Sequence, residues 1–181
     1  ADVFTPKATG AMSCAAGFEI SPETTPKLDA LLRRTMTDFA LSTRTAKAKY
    51  QRARPFMVNK KPNCTPDWDK TLRGDGSYPS GHATIGFGWS LIVAELVPER
   101  AALLTARGRA FADSRRVCNV HWLSDTQEGA IAAPAVLARL HAEPAFRADM
   151  DAARAELADP AVRARSPSRD CVAEAAAMAM K

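Results

Sequence analysis

The segment that best indicates the fold is residues 79–97, which read PSGHATIGFGWSLIVAELV. It predicts a helix that begins at Ser80 and ends before Pro98, because the apolar residues continue without a turn signal between them. Gly86 and Gly88 weaken this helix as an isolated element, since glycine loses more backbone freedom on folding than other residues. We therefore expect the helix to pack closely against a neighbour.

On both sides of this segment, apolar residues recur at helical spacing, and no alternation of period two is long enough to predict a strand. The further helices predicted in this way span residues 26–49, 99–115, 124–141 (kinked at Pro134) and 144–159. The fold class expected is therefore all-α, a single-domain helical bundle of residues 1–181. Its expected parts are an irregular N-terminal segment 1–25, a helical catalytic core 26–159 and a C-terminal tail 160–181. Residues 55–79 are predicted to form a long loop, and loops of that length are usually functional.

Composition and charge exclude several classes of protein. Of the 181 residues, 46% are hydrophobic and 25% are charged, which is typical of a globular chain rather than a disordered one. The longest apolar run, Ile85 to Val97, is too short for a membrane span. A net charge of +5 favours anionic ligands. The basic residues are spread along the chain, so no nucleic-acid partner is expected.

The four cysteines are too far apart in the sequence for a zinc knuckle or a redox Cys-x-x-Cys motif. They are Cys14, Cys64, Cys118 and Cys171. Their even number favours two disulfides in an oxidising compartment, and the alternative is four buried thiols in a cytosolic protein. The first residues lack an initiator Met and the layout of a signal peptide, so we expect a processed chain that is periplasmic or secreted.

Three clusters of polar residues predict the chemistry. They are Lys47-x6-Arg54-Pro55, Pro79-Ser80-Gly81-His82 and Ser114-Arg115-x5-His121-x3-Asp125. Phosphoryl transfer is catalysed mainly by positioning and by stabilising charge on the phosphoryl oxygens, for which cations and a helix N-terminus are suited. The clusters thus predict a site for phosphate monoesters, with no metal and no cofactor among its parts.

The two histidines of these clusters are expected to have different roles. His121 and Asp125 lie four residues apart and would share one face of a helical turn. Asp125 would orient the His121 imidazole as a nucleophile, which would form a phosphohistidine. His82 would protonate the leaving oxygen and later activate water. One neutral and one protonated imidazole together predict an acidic pH optimum.

In these blocks the sequence resembles the type 2 phosphatidic acid phosphatase superfamily, and in particular the bacterial class A non-specific acid phosphatases. The resemblance covers about residues 47–157 and includes the flanking GSYPSGH and HWLSD sequences. It implies a periplasmic, metal-independent, all-helical phosphomonoesterase that vanadate and other phosphate mimics inhibit. The resemblance implies that phosphate is bound by Lys47, Arg54, Ser80, Gly81 and Arg115. It implies that His121 is the nucleophile, His82 the acid and base, and Asp125 the orienting residue. Assembly into a homo-oligomer is left open.

Three other functions stay open at this point. A vanadium-dependent haloperoxidase would share the same blocks, a lipid phosphate phosphatase would use the same chemistry, and a non-catalytic protein could bind anions with the same cations. Because Cys64 and Cys118 flank the catalytic blocks, we expect them to pair, which leaves Cys14 for Cys171; this is one of three connectivities.

Other polar and aromatic residues receive simpler interpretations. Surface positions are expected for Arg52, Arg73, Arg107, Arg109 and Arg116. His141 is expected to be structural, and Asp67, Asp69 and Asp75 are expected to be solvated loop residues. Trp68 and Trp122 either stack on a substrate ring or cover the core.

Overall fold

The structure of the chain, a computed structural model, describes residues 3–179. These residues form α-helices, short 3-10 turns and loops, and no strand occurs among them, which confirms the all-α fold class. The helices are α1 (Ser13–Ala16), α2 (Pro26–Leu41), α3 (Arg44–Tyr50), α4 (Pro55–Asn59), α5 (Asp69–Arg73), α6 (Gly81–Leu96), α7 (Ala101–Val117), α8 (Leu123–His141), α9 (Pro144–Leu157), α10 (Pro160–Arg163) and α11 (Cys171–Ala179). Within residues 3–179, no helix is both long enough and apolar enough to span a bilayer.

Helix α6 is the central element of the bundle, packed against α2, α7 and α8. Its glycines allow this close packing. A Cβ atom on Gly86 would lie 2.0 Å from the ring of Phe111 in α7, and one on Gly88 would lie 2.4 Å from the ring of Phe39 in α2. The two aromatic rings therefore occupy the space that larger side chains on α6 would fill, as the sequence predicted for a closely packed helix.

The continuous helix predicted for residues 26–49 is interrupted. Helix α2 ends at Leu41, and α3 begins at Arg44. At the junction, the hydroxyl of Ser42 donates to the carbonyl of Phe39, and the hydroxyl of Thr43 donates to the carbonyl of Ala40, each at 2.8 Å. These side chains bond carbonyl groups near the end of α2, and such local hydroxyl–backbone bonds compete with regular helix.

Residues 55–79 are more ordered than the predicted long loop. They contain α4, a 3-10 turn at Pro66–Trp68 and α5. A disulfide from Cys64 to Cys118 ties this segment to the end of α7. The guanidinium of Arg73 lies 5.0 Å from the centre of the Phe56 ring, so it contacts another part of the segment. Helices this short depend on such tertiary contacts, because isolated helices of this length are not stable in water.

The N-terminal segment also differs from the expectation of an irregular 1–25. Thr9–Met12 form a 3-10 turn, and α1 follows directly and ends at Gly17, whose φ of 88° suits glycine. Met12 is completely buried in the core. A second disulfide, Cys14–Cys171, joins α1 to α11 in the tail. The ends of the two expected segments, residues 1–2 and 180–181, lie outside the described residues.

Candidate active site

Most of the predicted site residues line one pocket of about 410 Å³, a volume within the range of small-molecule sites. The pocket is formed by α3, the N-terminus of α6 and the segment of residues 55–79. Among its lining residues are five from the sequence clusters: Lys47, Arg54, Gly81, His82 and His121. Three more cluster residues, Ser80, Arg115 and Asp125, are buried in the structure. The three sequence blocks therefore converge in space.

The imidazole of His121 is buried between a cation and a carboxylate. Its Nε2 lies 3.1 Å from the NH1 group of Arg54, and its Nδ1 lies 3.5 Å from Oδ2 of Asp125. Because an arginine N–H only donates, Nε2 must accept, and its lone pair is directed at Arg54. The proton is then on Nδ1, facing Asp125. Burial lowers the pKa of His121 to about 4, and the charges of Arg54 and Lys47 act in the same direction, against Asp125.

Asp125 is itself held in place by two donors. Its Oδ2 accepts from the backbone N–H of Trp122 at 2.8 Å, and its Oδ1 accepts from NH1 of Arg52 at 2.7 Å. Burial would raise the pKa of Asp125, but hydrogen bonds from His121 and from the Trp122 N–H outweigh it and lower the pKa below its ordinary value. The lowered pKa favours the ionised carboxylate beside His121.

Two cations, Lys47 and Arg54, share a third residue, Asp75. Oδ2 of Asp75 lies 2.8 Å from Nζ of Lys47 and 3.1 Å from NH2 of Arg54. The Arg54 guanidinium is only 2% exposed and also donates to the carbonyls of Leu72 and Val120. Burial lowers the pKa of both cations, while Asp75 raises it. The cations are thus fixed in direction at the bottom of the pocket.

The N-terminus of α6 forms another wall. Ser80 is the N-cap residue, and its hydroxyl accepts from the N–H of Ala83 at 3.3 Å. The N–H groups of Gly81 and His82 belong to the first helical turn, where no intrahelical carbonyl partner exists, and such groups attract anions. Helix α8 reaches this wall because Gly129 has no side chain: a Cβ there would lie 2.5 Å from the Ser80 carbonyl oxygen. The close approach lets the Ser80 N–H donate to the Asp125 carbonyl at 2.9 Å.

His82 has surroundings unlike those of His121. Its ring is half-buried and meets the ring of Phe4 edge-on, with the ring centres 5.6 Å apart. Burial holds the pKa of His82 well below its ordinary value, and the charges of Arg115 and His121 lower it further. Arg115 lies in the last turn of α7. Its backbone carbonyl accepts from the backbone N–H of His121 at 3.3 Å. Each histidine therefore lies within electrostatic range of the other and of buried cations.

Two residues of the site make contacts that the sequence did not predict. Arg52, expected at the surface, lies against Asp125 and above the Trp122 ring at 5.5 Å. Asp75 is an exposed loop residue, as expected, but it also pairs with Lys47. No pattern in the sequence indicated either contact, because both depend on how segments far apart in the chain fold together.

The remaining polar candidates lie apart from the pocket. Arg107, also expected at the surface, has a largely buried side chain whose Nε lies 2.9 Å from Oε1 of Glu174. His141 pairs with Glu95 at 2.9 Å. Within residues 3–179, no three His, Cys, Asp or Glu side chains are grouped so that they could hold a metal ion.

Comparison with known proteins agrees with this geometry. Residues 31–146 match the PAP2 superfamily, so the chain belongs to that superfamily. An acid phosphatase of Zymomonas mobilis is 41% identical over 155 residues, which are 86% of this chain and 59% of the relative. Non-specific acid phosphatases of Salmonella typhimurium and Providencia stuartii are each 38% identical over 160 residues, covering 88% and 87% of this chain and 64% of each relative. The chain spans about three fifths of the length of these relatives.

Proposed function

We propose that this protein is an acid phosphatase of broad specificity. It hydrolyses phosphate monoesters through a phosphohistidine intermediate on His121. The observation that carries the proposal is the convergence of Lys47, Arg54, His82 and His121 on one pocket at a helix N-terminus. Such a pocket offers cations and N–H donors to the three equatorial oxygens of a transferring phosphoryl group. The relatives named as acid phosphatases support the same activity.

In the proposed first step, Nε2 of His121 attacks phosphorus and the bond from phosphorus to the leaving oxygen breaks. As the ester binds, the guanidinium of Arg54 donates to phosphoryl oxygens in place of Nε2, which frees the lone pair. His82 gives its proton to the leaving oxygen, so the alcohol departs neutral. Asp125 stabilises the positive charge that develops on the His121 ring, since the ring keeps its Nδ1 proton.

In the second step, water attacks phosphorus from the side that the alcohol has left. His82, now neutral, takes a proton from this water. The bond between phosphorus and Nε2 breaks, its electron pair returns to the nitrogen, and inorganic phosphate is released. The sum of the two steps is hydrolysis of the ester, with both histidines returned to their starting states.

The compartment and the inhibitors follow from the same features. Disulfides persist in oxidising compartments, so the bonds Cys14–Cys171 and Cys64–Cys118 support a periplasmic or secreted location. Vanadate is proposed to inhibit by taking the place of the phosphoryl group among Lys47, Arg54 and the α6 N-terminus.

The test of the proposed function is to trap the intermediate. The protein is mixed with a phosphate-labelled monoester, stopped in denaturant, and its label is assayed for stability in base and lability in acid. We expect a labelled phosphohistidine in the parent protein and none in His121→Ala, with turnover that survives chelators and is blocked by vanadate. Halide oxidation that requires added vanadate, with no ester turnover, would instead establish a haloperoxidase. Tight phosphate binding without any turnover would establish an anion-binding protein.

A further inference from the structure

Asn119 lies two residues before His121 and has an unusual backbone conformation. Its φ of 60° falls in the left-handed region, which asparagine adopts more often than most residues and glycine adopts without strain. Its backbone N–H donates to the carbonyl of Arg116, in the last turn of α7, at 2.9 Å. The conformation of Asn119 thus decides how the chain runs from α7 to His121.

The side chain of Asn119 binds the end of α4 and the loop that follows it. Its Nδ2 donates to the carbonyls of Lys61 at 3.1 Å and Pro62 at 3.2 Å, and to Oδ1 of Asn59 at 3.1 Å. In return, Nδ2 of Asn59 donates to Oδ1 of Asn119 at 2.8 Å. One side-chain amide therefore joins two parts of the chain that are far apart in the sequence.

Helix α4 connects this amide contact to the pocket. Arg54 is the N-cap residue of the helix, and Asn59 is its last residue. Between them, the N–H of Phe56 donates to the backbone carbonyl of Asn119 at 3.2 Å. Asn119 therefore contacts α4 near its start through the backbone and at its end through the side chain. A helix of five residues depends on such contacts for its position, because it is too short to be stable alone.

The NH1 group of Arg54 contacts both residues that follow Asn119. It donates to the carbonyl of Val120 at 3.0 Å and lies 3.1 Å from Nε2 of His121. In the proposed reaction the guanidinium donates to the phosphoryl oxygens in place of Nε2, so its contact with the ring is lost when the ester binds. The spacing between Arg54 and His121 then has to be set by other contacts. Those of Asn119 are suited to this, because they join α4 to residues 119–121.

We infer that Asn119 is a positioning residue: its side-chain amide keeps α4 and residues 119–121 aligned, so that Nε2 of His121 points at the phosphorus of an ester held by Arg54. This inference rests on the proposed function, because it takes His121 as the nucleophile. Displacing a reacting group by about 1 Å can lower a rate by about 10²-fold. Among residues 3–179, those that line the pocket do not include Asn119, so it acts through His121 and not on the substrate.

The disulfide between Cys64 and Cys118 joins the same two parts of the chain. It limits how far they can separate, so variants at Asn119 are expected to remain folded. It does not replace the amide, because a covalent link through two flexible side chains limits a distance, whereas hydrogen bonds are also directional. Loss of the amide should therefore disturb the alignment of His121 without unfolding the protein.

The first test removes the amide without straining the backbone. Asn119→Gly deletes the side chain and keeps the left-handed conformation. We expect kcat on one monoester to fall by about 10- to 100-fold, because the nucleophile is less well aligned. KM should change by less than about twofold, since Arg54 keeps its bonds to Leu72 and Asp75 and still binds the ester. Steady-state kinetics measure both values, and thermal melting checks that the variant is folded.

Matched variants separate the amide from the backbone. Asn119→Asp keeps the shape but cannot donate to the carbonyls of residues 61 and 62, so it should lower kcat as Asn119→Gly does. Asn59→Ala leaves these two carbonyl contacts in place and should have a smaller effect in the same direction. Lys60→Gly is the control: Lys60 also has a left-handed φ, of 58°, and its side chain donates to the carbonyl of Met57 within α4. It should leave kcat unchanged.

An NMR titration of His121 measures the alignment without turnover. The chain has three histidines, so His121→Ala identifies the ring signals of this one. Burial and the charges of Arg54 and Lys47 lower the pKa of His121 to about 4, against the effect of Asp125. In Asn119→Gly the ring should be less buried and less closely held against Arg54. Its pKa should therefore be higher than in the parent protein.

The outcomes distinguish this inference from the proposed function. A kcat of folded Asn119→Gly within about twofold of the parent, an equal loss in Lys60→Gly, or an unchanged pKa of His121 overturns the positioning role even if the parent hydrolyses esters. If Asn119→Gly does not fold, the same comparisons are made with Asn59→Ala. Absence of any hydrolysis by the parent overturns the proposed function, and the titration then still reports whether Asn119 holds the His121 ring.

Discussion

The two histidines line one pocket, and their surroundings differ. His121 is 3% exposed and lies between Arg54 and the carboxylate of Asp125. His82 is half-buried, and within residues 3–179 no hydrogen bond holds its ring, which lies at 87° to the ring of Phe4. The difference matches the two chemical tasks proposed for these residues. A nucleophile gains from a fixed orientation, whereas a residue that serves first the alcohol and then water has to reach two positions.

The largest expected effect comes from removing the fixed histidine. His121→Ala should lower kcat by on the order of 10⁵-fold, as for other covalent nucleophiles, because the proposed reaction forms its covalent intermediate on this ring. His141→Ala is the matched control: this histidine pairs with Glu95 outside the pocket and should leave kcat unchanged. Steady-state kinetics on one monoester measure both variants. Equal losses in the two variants would contradict the assignment of His121.

Removing the less constrained histidine should have a smaller effect that depends on the leaving group. His82→Ala should lower kcat by about 10²- to 10⁴-fold for alkyl esters, which need a proton on departure. With p-nitrophenyl phosphate, whose leaving group is stable without a proton, the first step should stay fast and only the attack of water should slow. Rapid-mixing kinetics should then show a burst of p-nitrophenol. A uniform loss for both esters, with no burst, would mean that His82 does not act on the leaving oxygen.

A substitution at Arg52 tests how much the fixed orientation of Asp125 contributes to kcat. Arg52→Ala removes the donor to Oδ1 of Asp125 but leaves the Trp122 N–H on Oδ2. We expect kcat to fall by about tenfold with little change in KM, because a hydrogen bond to a charged group contributes roughly 1.5–3 kcal/mol and this one is part-exposed. Arg52→Lys should recover part of the loss. A change in KM alone would mean that Arg52 contacts substrate and does not position Asp125.

The smallest expected effect is a displacement of the pH profile. In the proposed mechanism His121 attacks as the neutral ring, and burial places its pKa at about 4, so activity should fall as the pH drops through about 4. The same mechanism needs a protonated His82, and its pKa in the free protein lies well below 6.5, so kcat/KM should fall as the pH rises through that lowered value. A bound phosphoryl dianion favours the protonated ring. The alkaline limb of kcat should therefore lie at higher pH than that of kcat/KM, and coinciding limbs would contradict this account.

The sequence was sufficient for the parts of the fold and site that depend on short patterns. The apolar run after Ser80 predicted α6, and the three blocks predicted the residues that meet at the pocket. Each block fixes its own local geometry: a helix start at Ser80 and a helical turn from His121 to Asp125. Their convergence could be inferred because one chemistry needs all of them. The roles of the individual side chains stay predictions.

The parts that were missed depend on contacts between distant segments or on polar competition. The interruption at Ser42 and Thr43 results from hydroxyl groups that bond carbonyls, which apolar periodicity does not show. Helices α4 and α5 are too short to be stable alone and depend on the Cys64–Cys118 tether. Arg52 contacts Asp125, 73 residues further along the chain, so no local pattern indicates the contact.

The carboxylate of Asp75 has a consequence for how tightly small anions can be held. The carboxylate of Asp75 already lies beside both Lys47 and Arg54 as their counter-ion. An incoming anion therefore has to compete with this carboxylate for the two cations. Only the difference between the two attractions contributes to affinity. An ester keeps the further contacts of its alcohol, whereas inorganic phosphate has only its oxygens to offer. In the proposed reaction, the carboxylate of Asp75 therefore favours release of inorganic phosphate over its retention.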